Sequence, residues 1–161
     1  MHYFIDGYNF LFHFYEDVDP LERTRKDLLE YLQEHLFASN LNLTIVFDSH
    51  HVKHKDIPTR FDVEKLEVIY TPSHQTADNY ILEALASNRH NSKETVITSD
   101  KGLMLHAKNL GAKVLSVEVF LDKLLSHKLK KHYRESKQQE ESYEDFHRLL
   151  KIFEQRLLED D

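Results

Sequence analysis

Apolar positions along the chain alternate between two periods. Short β-branched or aromatic runs recur at "YFI" (Tyr3 to Ile5), "LTIVF" (Leu43 to Phe47), "LEVIY" (Leu66 to Tyr70), "ETVIT" (Glu94 to Thr98) and "AKVLSV" (Ala112 to Val117). Each predicts a buried strand. Between them the period lengthens: Pro20 to Phe37 carries Leu28, Leu32 and Leu36 at spacing four, Thr76 to Ser87 carries Ile81, Leu82 and Leu85, and Gly102 to Leu110 reads the same way. Strands alternating with helices predict βαβ crossovers, hence an α/β domain whose central, mainly parallel sheet of about five strands is covered on both faces.

Two stretches depart from this rhythm. "DSHHVKHKDIPTRFDVEK", from Asp48 to Lys65, has no helical stripe and is long for a connection within a compact domain, which marks it as functional or mobile. After the fifth strand, "VEVFLDKLLSHKLKKHY" predicts an amphipathic helix with Phe120, Leu121, Leu124 and Leu125 inward, followed by a polar hinge, "RESKQQEES". The C-terminal stripe of Tyr143, Phe146, Leu150, Phe153 and Leu157 then predicts a further helix packed on the same domain. The expected division is residues 1–126 as the α/β domain and 127–161 as a basic segment with its C-terminal helix.

Composition narrows the class. A chain of 161 residues has room for one domain, which buries roughly 70% of its unfolded surface. No run reaches the length of a membrane span, and Asp6 interrupts the N-terminal apolar run where a signal peptide needs its centre. A cytoplasmic protein without membrane contact is expected. The absence of Cys excludes disulfides, thiolate zinc sites and Cys nucleophiles. Only three Gly, with neither GxGxxG nor a Walker loop, argue against a glycine-cradled nucleotide.

The net charge of −7 is polarised: six Lys or Arg against one Glu between Lys123 and Lys137, then eight acids against three bases from Glu140 to Asp161. The basic segment reads either as a solvated helix face or as a phosphate-binding surface.

Four acids stand out by position. Asp6 follows the first strand, Asp48 the second and Asp100 the fourth, while Asp78 lies two residues past Thr76, a plausible helix N-cap. In a parallel sheet these positions share one edge, where open α/β sheets place their ligand crevice. A lone Asp there is most often a turn former or cap, but four converging acids predict a site. Crowded carboxylates stay ionised together only around positive charge, and oxygen ligands suit Mg2+ or Mn2+ better than zinc. Asn9 and Ser99 are candidates to supply neutral oxygens or to hold the carboxylates and water in place. Gly7 permits close approach of backbone or substrate. Tyr8 and Phe10 are candidate stacking surfaces or core. His50, His51 and His54 lack a second ligand pair and read as facing solvent or RNA.

The segments "IDGYN", "VFDSHH", "TADNYI" and "ITSDKG" together resemble, in order and spacing, the NYN branch of the PIN-like nucleases, and within it the bacterial YacP-type group of ribosome-associated endoribonucleases. The resemblance covers about Met1 to Ser126. It implies a PIN-like Rossmannoid fold and a Mg2+- or Mn2+-dependent nuclease acting on RNA, with the ribosome as a partner. On this resemblance Asp6, Asp78 and Asp100 match the acidic metal-site positions, and Asn9 and Asp48 the accessory polar ones. Lys101 directly after Asp100 departs from the relatives, and no Glu replaces a fourth PIN-type acid.

The expected activity is internal cleavage of single-stranded RNA by an activated water, leaving 5′-phosphate and 3′-hydroxyl ends. Asp6, Asp78 and Asp100 would be catalytic and, with Asp48, metal-holding; Asn9, Ser99 and Thr76 would be accessory. Lys53, Lys55 and Arg60 of the long connection and Lys128, Lys130, Lys131 and Arg134 of the basic segment would contact RNA phosphates. A monomer is favoured. Two rivals are a 5′-nuclease of the flap type, since "IDGYNFLFHFY" and "TSDKGLMLH" also resemble that group, and a non-catalytic RNA-binding module. The first usually carries paired acids where this chain has Asp78 followed by Asn79.

Overall fold

The computed structural model describes residues 1–14, 21–37, 39–49, 59–88 and 93–135. In chain order the elements are β1 (His2–Asp6), α1 (Gly7–Phe14), α2 (Leu21–Phe37), β2 (Asn42–Phe47), β3 (Thr59–Val63), β4 (Leu66–Tyr70), α3 (Ala77–Ser87), β5 (Glu94–Ile97), α4 (Lys101–Asn109), β6 (Lys113–Leu115) and α5 (Val117–Glu135). The six strands form one sheet in the order β3-β4-β2-β1-β5-β6. All pairings are parallel except β3 with β4.

The five predicted strands are present, and the sheet gains a sixth. Its source is the connection between Asp48 and Lys65, whose second half forms β3 and turns back onto β4. An edge strand needs to bury only one side, so "TRFDV" interleaves polar residues and shows no continuous apolar run. The inner strands are buried on both faces. Along β1, Tyr3 and Ile5 join Ile45, Phe47 and Val68 beneath α1, α2 and α5, with Leu28, Leu32, Phe120 and Leu124 in the same cluster. Phe4, between them in sequence, joins Val46, Ile69 and Val96 on the opposite face, against Ala77, Ile81 and Leu85 of α3 and Leu103 and Ala107 of α4. The result is three layers, helix on sheet on helix.

The N-terminal run divides at its charge. Asp6 ends β1, and Gly7 opens a helix that the apolar pattern does not separate from the strand. Gly7 serves packing within the protein: a Cβ there would lie 2.3 Å from Cε1 of Phe47, so the bare backbone accommodates that ring. Tyr8 and Phe10, candidates for stacking on substrate, are instead 5% and 3% exposed and belong to the core. α4 ends as a Schellman motif, with Ala112 N–H donating to Ala107 O, Gly111 N–H donating to Lys108 O, and Gly111 at φ 88°.

α5 runs unbroken across residue 126, and Phe120, Leu121, Leu124 and Leu125 are buried as expected. The C-terminal stripe from Tyr143 to Leu157 lies outside the described residues, as do His50, His51, Lys53, His54 and Lys55. Among the described residues no helix is long and apolar enough to cross a membrane.

Candidate active site

Parallel register carries the acids to one edge. Asp6 stands opposite Val46 and Ile5 opposite Ile97, so the ends of β1, β2 and β5 finish together. β1 is the strand from which the chain runs to β2 on one side and from which β5 lies on the other, the arrangement that opens a crevice beyond the carboxyl ends.

At this edge Asp6 and Asp78 meet. Their carboxyls come close enough that a proton held by Asp6 is stabilised by Asp78. Burial pushes the Asp6 carboxyl up to about 8, reinforced by the bond to Asp78 and by the charges of Asp78 and Asp48. The Asn9 N–H, donating to Asp6 Oδ1 at 3.2 Å, opposes this rise. Burial also raises Asp78, with the charges of Asp100 and Asp48 acting in the same direction and the bond from Asp6 against it. Asp78 Oδ1 is buried without a hydrogen-bond partner.

Asp48 and Asp100 border this pair while each caps a helix. Asp48 Oδ1 accepts from Ala77 N–H at 2.5 Å, fastening the start of α3 to the end of β2. Thr76 is the N-cap of α3, its hydroxyl accepting from Asn79 N–H. The two contacts set the first turn of α3 so that Asp78 faces Asp6. Asp100 is the N-cap of α4 and accepts from Leu103 N–H at 2.7 Å through Oδ1.

Asn9 and Ser99 have assignments more definite than those expected of them. Asn9 Oδ1 accepts from Ser99 N–H at 2.9 Å and from the Thr98 hydroxyl at 3.2 Å, so it locks the turn that presents Asp100. Ser99 Oγ lies 3.1 Å from His13 Nδ1, and His13 Nε2 lies 2.7 Å from Glu118 Oε1. His13 is four residues beyond Asn9 and so on the same face of α1. That spacing is the signal by which the sequence could have nominated it.

Arg25 is the other addition. Its Nη1 donates to the Tyr8 hydroxyl at 3.0 Å, and the guanidinium lies 5.8 Å from the Phe47 ring centroid and 5.2 Å from that of Tyr70. It occupies the apolar stripe of α2 (Leu21, Arg25, Leu28, Leu32, Leu36), where a cation breaks the pattern. Arg60, expected at an RNA-facing position, donates to the Tyr80 hydroxyl at 2.8 Å and pairs with Glu67 at 3.6 Å on the α3 side of the sheet. Lys128, Lys130, Lys131 and Arg134 fall on the last turns of α5, described only as backbone.

Among the described residues no three His, Asp or Glu side chains are already gathered as a metal cage. The donor chemistry nonetheless fits a hard divalent cation. The pair consists of carboxylate oxygens alone, one of them an orphan, and burial, reinforced by the contact with Asp78 and by the neighbouring charges, makes Asp6 retain its proton near neutrality.

The comparisons with known proteins agree with this architecture. Two crystal structures of Rae1 (YacP) from Bacillus subtilis superpose with a TM-score of 0.63 at 22% identity. The match to the W164L mutant covers 80% of this chain and 77% of that one, and the match to the other structure covers 99% and 91%. No curated protein matches the sequence. The model of the YacP-like NYN domain matches residues 3–159, and the chain belongs to that family.

Proposed function

We propose that this protein is a Mg2+- or Mn2+-dependent endoribonuclease that cuts single-stranded RNA internally and leaves 5′-phosphate and 3′-hydroxyl ends. The observation that carries the reading is the Asp6–Asp78 pair: two partly buried carboxyls from different elements, close enough that Asp6 is driven to hold a proton, beside Asp48 and Asp100. Burying such a pair costs stability and has no packing rationale, whereas a cation relieves the repulsion. Membership in the YacP-like NYN domain family supports the same chemistry.

Asp6 and Asp78 would hold the ion, with Asp100 and Asp48 at its border. Bound there, a divalent ion supplies a water acidic enough to attack and neutralises charge on the phosphate. The chain's own residues prepare the place. Asp6 would give up its proton to act as a ligand beside Asp78. Asp48 and Thr76 fix the start of α3, and Asn9 holds the Thr98–Asp100 turn. The N-termini of α3 and α4 open onto the same edge, where their dipoles favour a phosphate. Lys53, Lys55, Lys128, Lys130, Lys131 and Arg134 supply sequence-independent attraction to RNA, and a cytoplasmic, ribosome-associated setting follows from the same reading.

The test is cleavage of an end-labelled single-stranded RNA with and without Mn2+ by the wild type, Asp6→Asn and Asp78→Asn. Internal cuts with 5′-phosphate ends, lost in both variants, are expected. Equal cleavage by all three overturns the mechanism, and preferential cleavage of flap DNA transfers the site to a 5′-nuclease. No metal-dependent rise in Tm leaves a binding module.

A further inference from the structure

A row of five aromatic rings runs along the α1/α2 side of the acidic edge. Phe12 stacks on Tyr8 at 6.0 Å, Tyr8 meets Phe47 edge-on at 5.1 Å, Phe47 stacks on Tyr70 at 5.6 Å, and Tyr70 meets Phe61 edge-on at 6.1 Å. The inner rings are core or partly buried, but Phe61, on the edge strand β3, is 53% exposed. Phe47 and Tyr70 end adjacent strands in register, and Asp48 follows Phe47 directly, so the row lies beside the acids.

Arg25 sits over the middle of this row. The Tyr8 hydroxyl, the Phe47 and Tyr70 rings and the Tyr70 hydroxyl frame its guanidinium. Among the described residues it forms no ion pair, although Lys26, its neighbour on α2, pairs with Glu30. A planar fork of five donors, partly buried and oriented by aromatic rings, retains donors for an anion. It is therefore a cation held in place beside an acidic site, with an exposed flat ring one residue row away.

We infer that Arg25 and Phe61 form a substrate subsite for single-stranded RNA, Arg25 anchoring a phosphate that flanks the scissile one and Phe61 stacking on the adjoining base. The inference rests on the nuclease reading and assigns residues to its preference for single strands. A base can lie on Phe61 only when it is unstacked from its neighbours, which a duplex does not offer. Arg25, fixed by Tyr8 and Tyr70, sets the distance between that base and the acids.

The experiment measures binding of a short labelled oligouridylate, its abasic counterpart and a duplex of equal length, by fluorescence anisotropy in an Asp6→Asn background. Cleavage is read separately on otherwise wild-type protein. Arg25→Gln is expected to weaken oligouridylate binding by about tenfold or more and to reduce the salt slope by about one. Phe61→Ala, at an exposed position, is expected to weaken oligouridylate about tenfold and leave the abasic strand unchanged. Unchanged affinity in either folded variant, equal losses for both strands with Phe61→Ala, or no saturable binding at all overturns the subsite. Should Arg25→Gln fail to fold, Arg25→Lys keeps the charge and loses the fork; a several-fold loss is expected, and wild-type affinity overturns the anchor. RNA cleavage that ignores Arg25 and Phe61 removes the subsite and leaves the nuclease; binding through both without metal-dependent cleavage does the reverse.

Discussion

Asp6 and Asp78 meet at the carboxyl edge of the sheet, one at the end of β1 and the other in the first turn of α3, and the contact favours a proton on Asp6. Nothing local in either segment demands this. Asp6 alone would end a strand, and Asp78 alone would complement a helix dipole. Brought together and partly buried, they form an electrostatically strained contact at the candidate site.

That strain makes metal-free stability depend on pH. Asp6 titrates near 3.8 when unfolded and is raised to about 8 in the fold. The folded state therefore binds the proton more tightly, so the contribution is fully present below about pH 4 and is lost as pH rises through 8. In EDTA, the Tm of the wild type is expected to fall between pH 5 and 8 relative to Asp6→Asn, by on the order of 5 °C. Parallel Tm curves for the two proteins would remove the strained pair.

Divalent ions should reverse that loss. At pH 8, millimolar Mn2+ is expected to raise the wild-type Tm by several degrees and to leave Asp6→Asn and Asp78→Asn nearly unmoved, because only a native-state ligand stabilises by mass action. In the same variants metal-dependent RNA cleavage should drop at least a hundredfold, with circular dichroism unchanged. Stability without metal and activity thus move in opposite directions, whereas a turn-forming Asp would lose stability alone.

Gly7→Ala tests the packing beneath the site. Its Cβ would press on Phe47 at 2.3 Å, and that ring is fully buried and stacked on Tyr70. A loss of about 1–3 kcal/mol is expected in urea denaturation. Phe47→Leu, destabilising by itself, should cost less in the Gly7→Ala background, and strict additivity would show that the ring is not the obstacle.

Asn9→Ala should separate positioning from metal binding. It removes the acceptor for Ser99 N–H and the Thr98 hydroxyl, which predicts about 1–3 kcal/mol of destabilisation and slower cleavage as the Asp100 turn loosens. The Mn2+-induced rise in Tm, which depends mainly on Asp6 and Asp78, should persist. Its disappearance would make Asn9 a ligand.

The basic segment provides an independent check on the RNA reading. Replacing Lys128, Lys130, Lys131 and Arg134 by Ala is expected to weaken RNA binding and flatten its dependence on salt, since each phosphate contact releases counterions. An unchanged slope would make this face of α5 a solvated surface.

The inner parallel strands β1, β2, β4 and β5 were legible in the sequence because a strand covered on both faces is written mainly in apolar or β-branched residues, and the short edge strand β6 still carries Val114 and Leu115. Thr76 announced the start of α3 because a cap is a local bond between neighbours. The placement of Asp6, Asp48, Asp78 and Asp100 at one edge followed from strand direction alone. β3 and α1 escaped for opposite reasons: an edge strand needs no apolar run, and "GYNFLFHF" is apolar enough to read as either period. Only the tertiary structure decided which acids touch, that Asn9 ties down the Asp100 turn, that His13 bridges Ser99 and Glu118, and that Arg25 reaches the rim from α2. Sequence periodicity records which way a side chain faces. A contact between two carboxyls, or a guanidinium framed by rings, depends on distances of a few ångströms between elements far apart in the chain, and those distances exist only once the layers have packed.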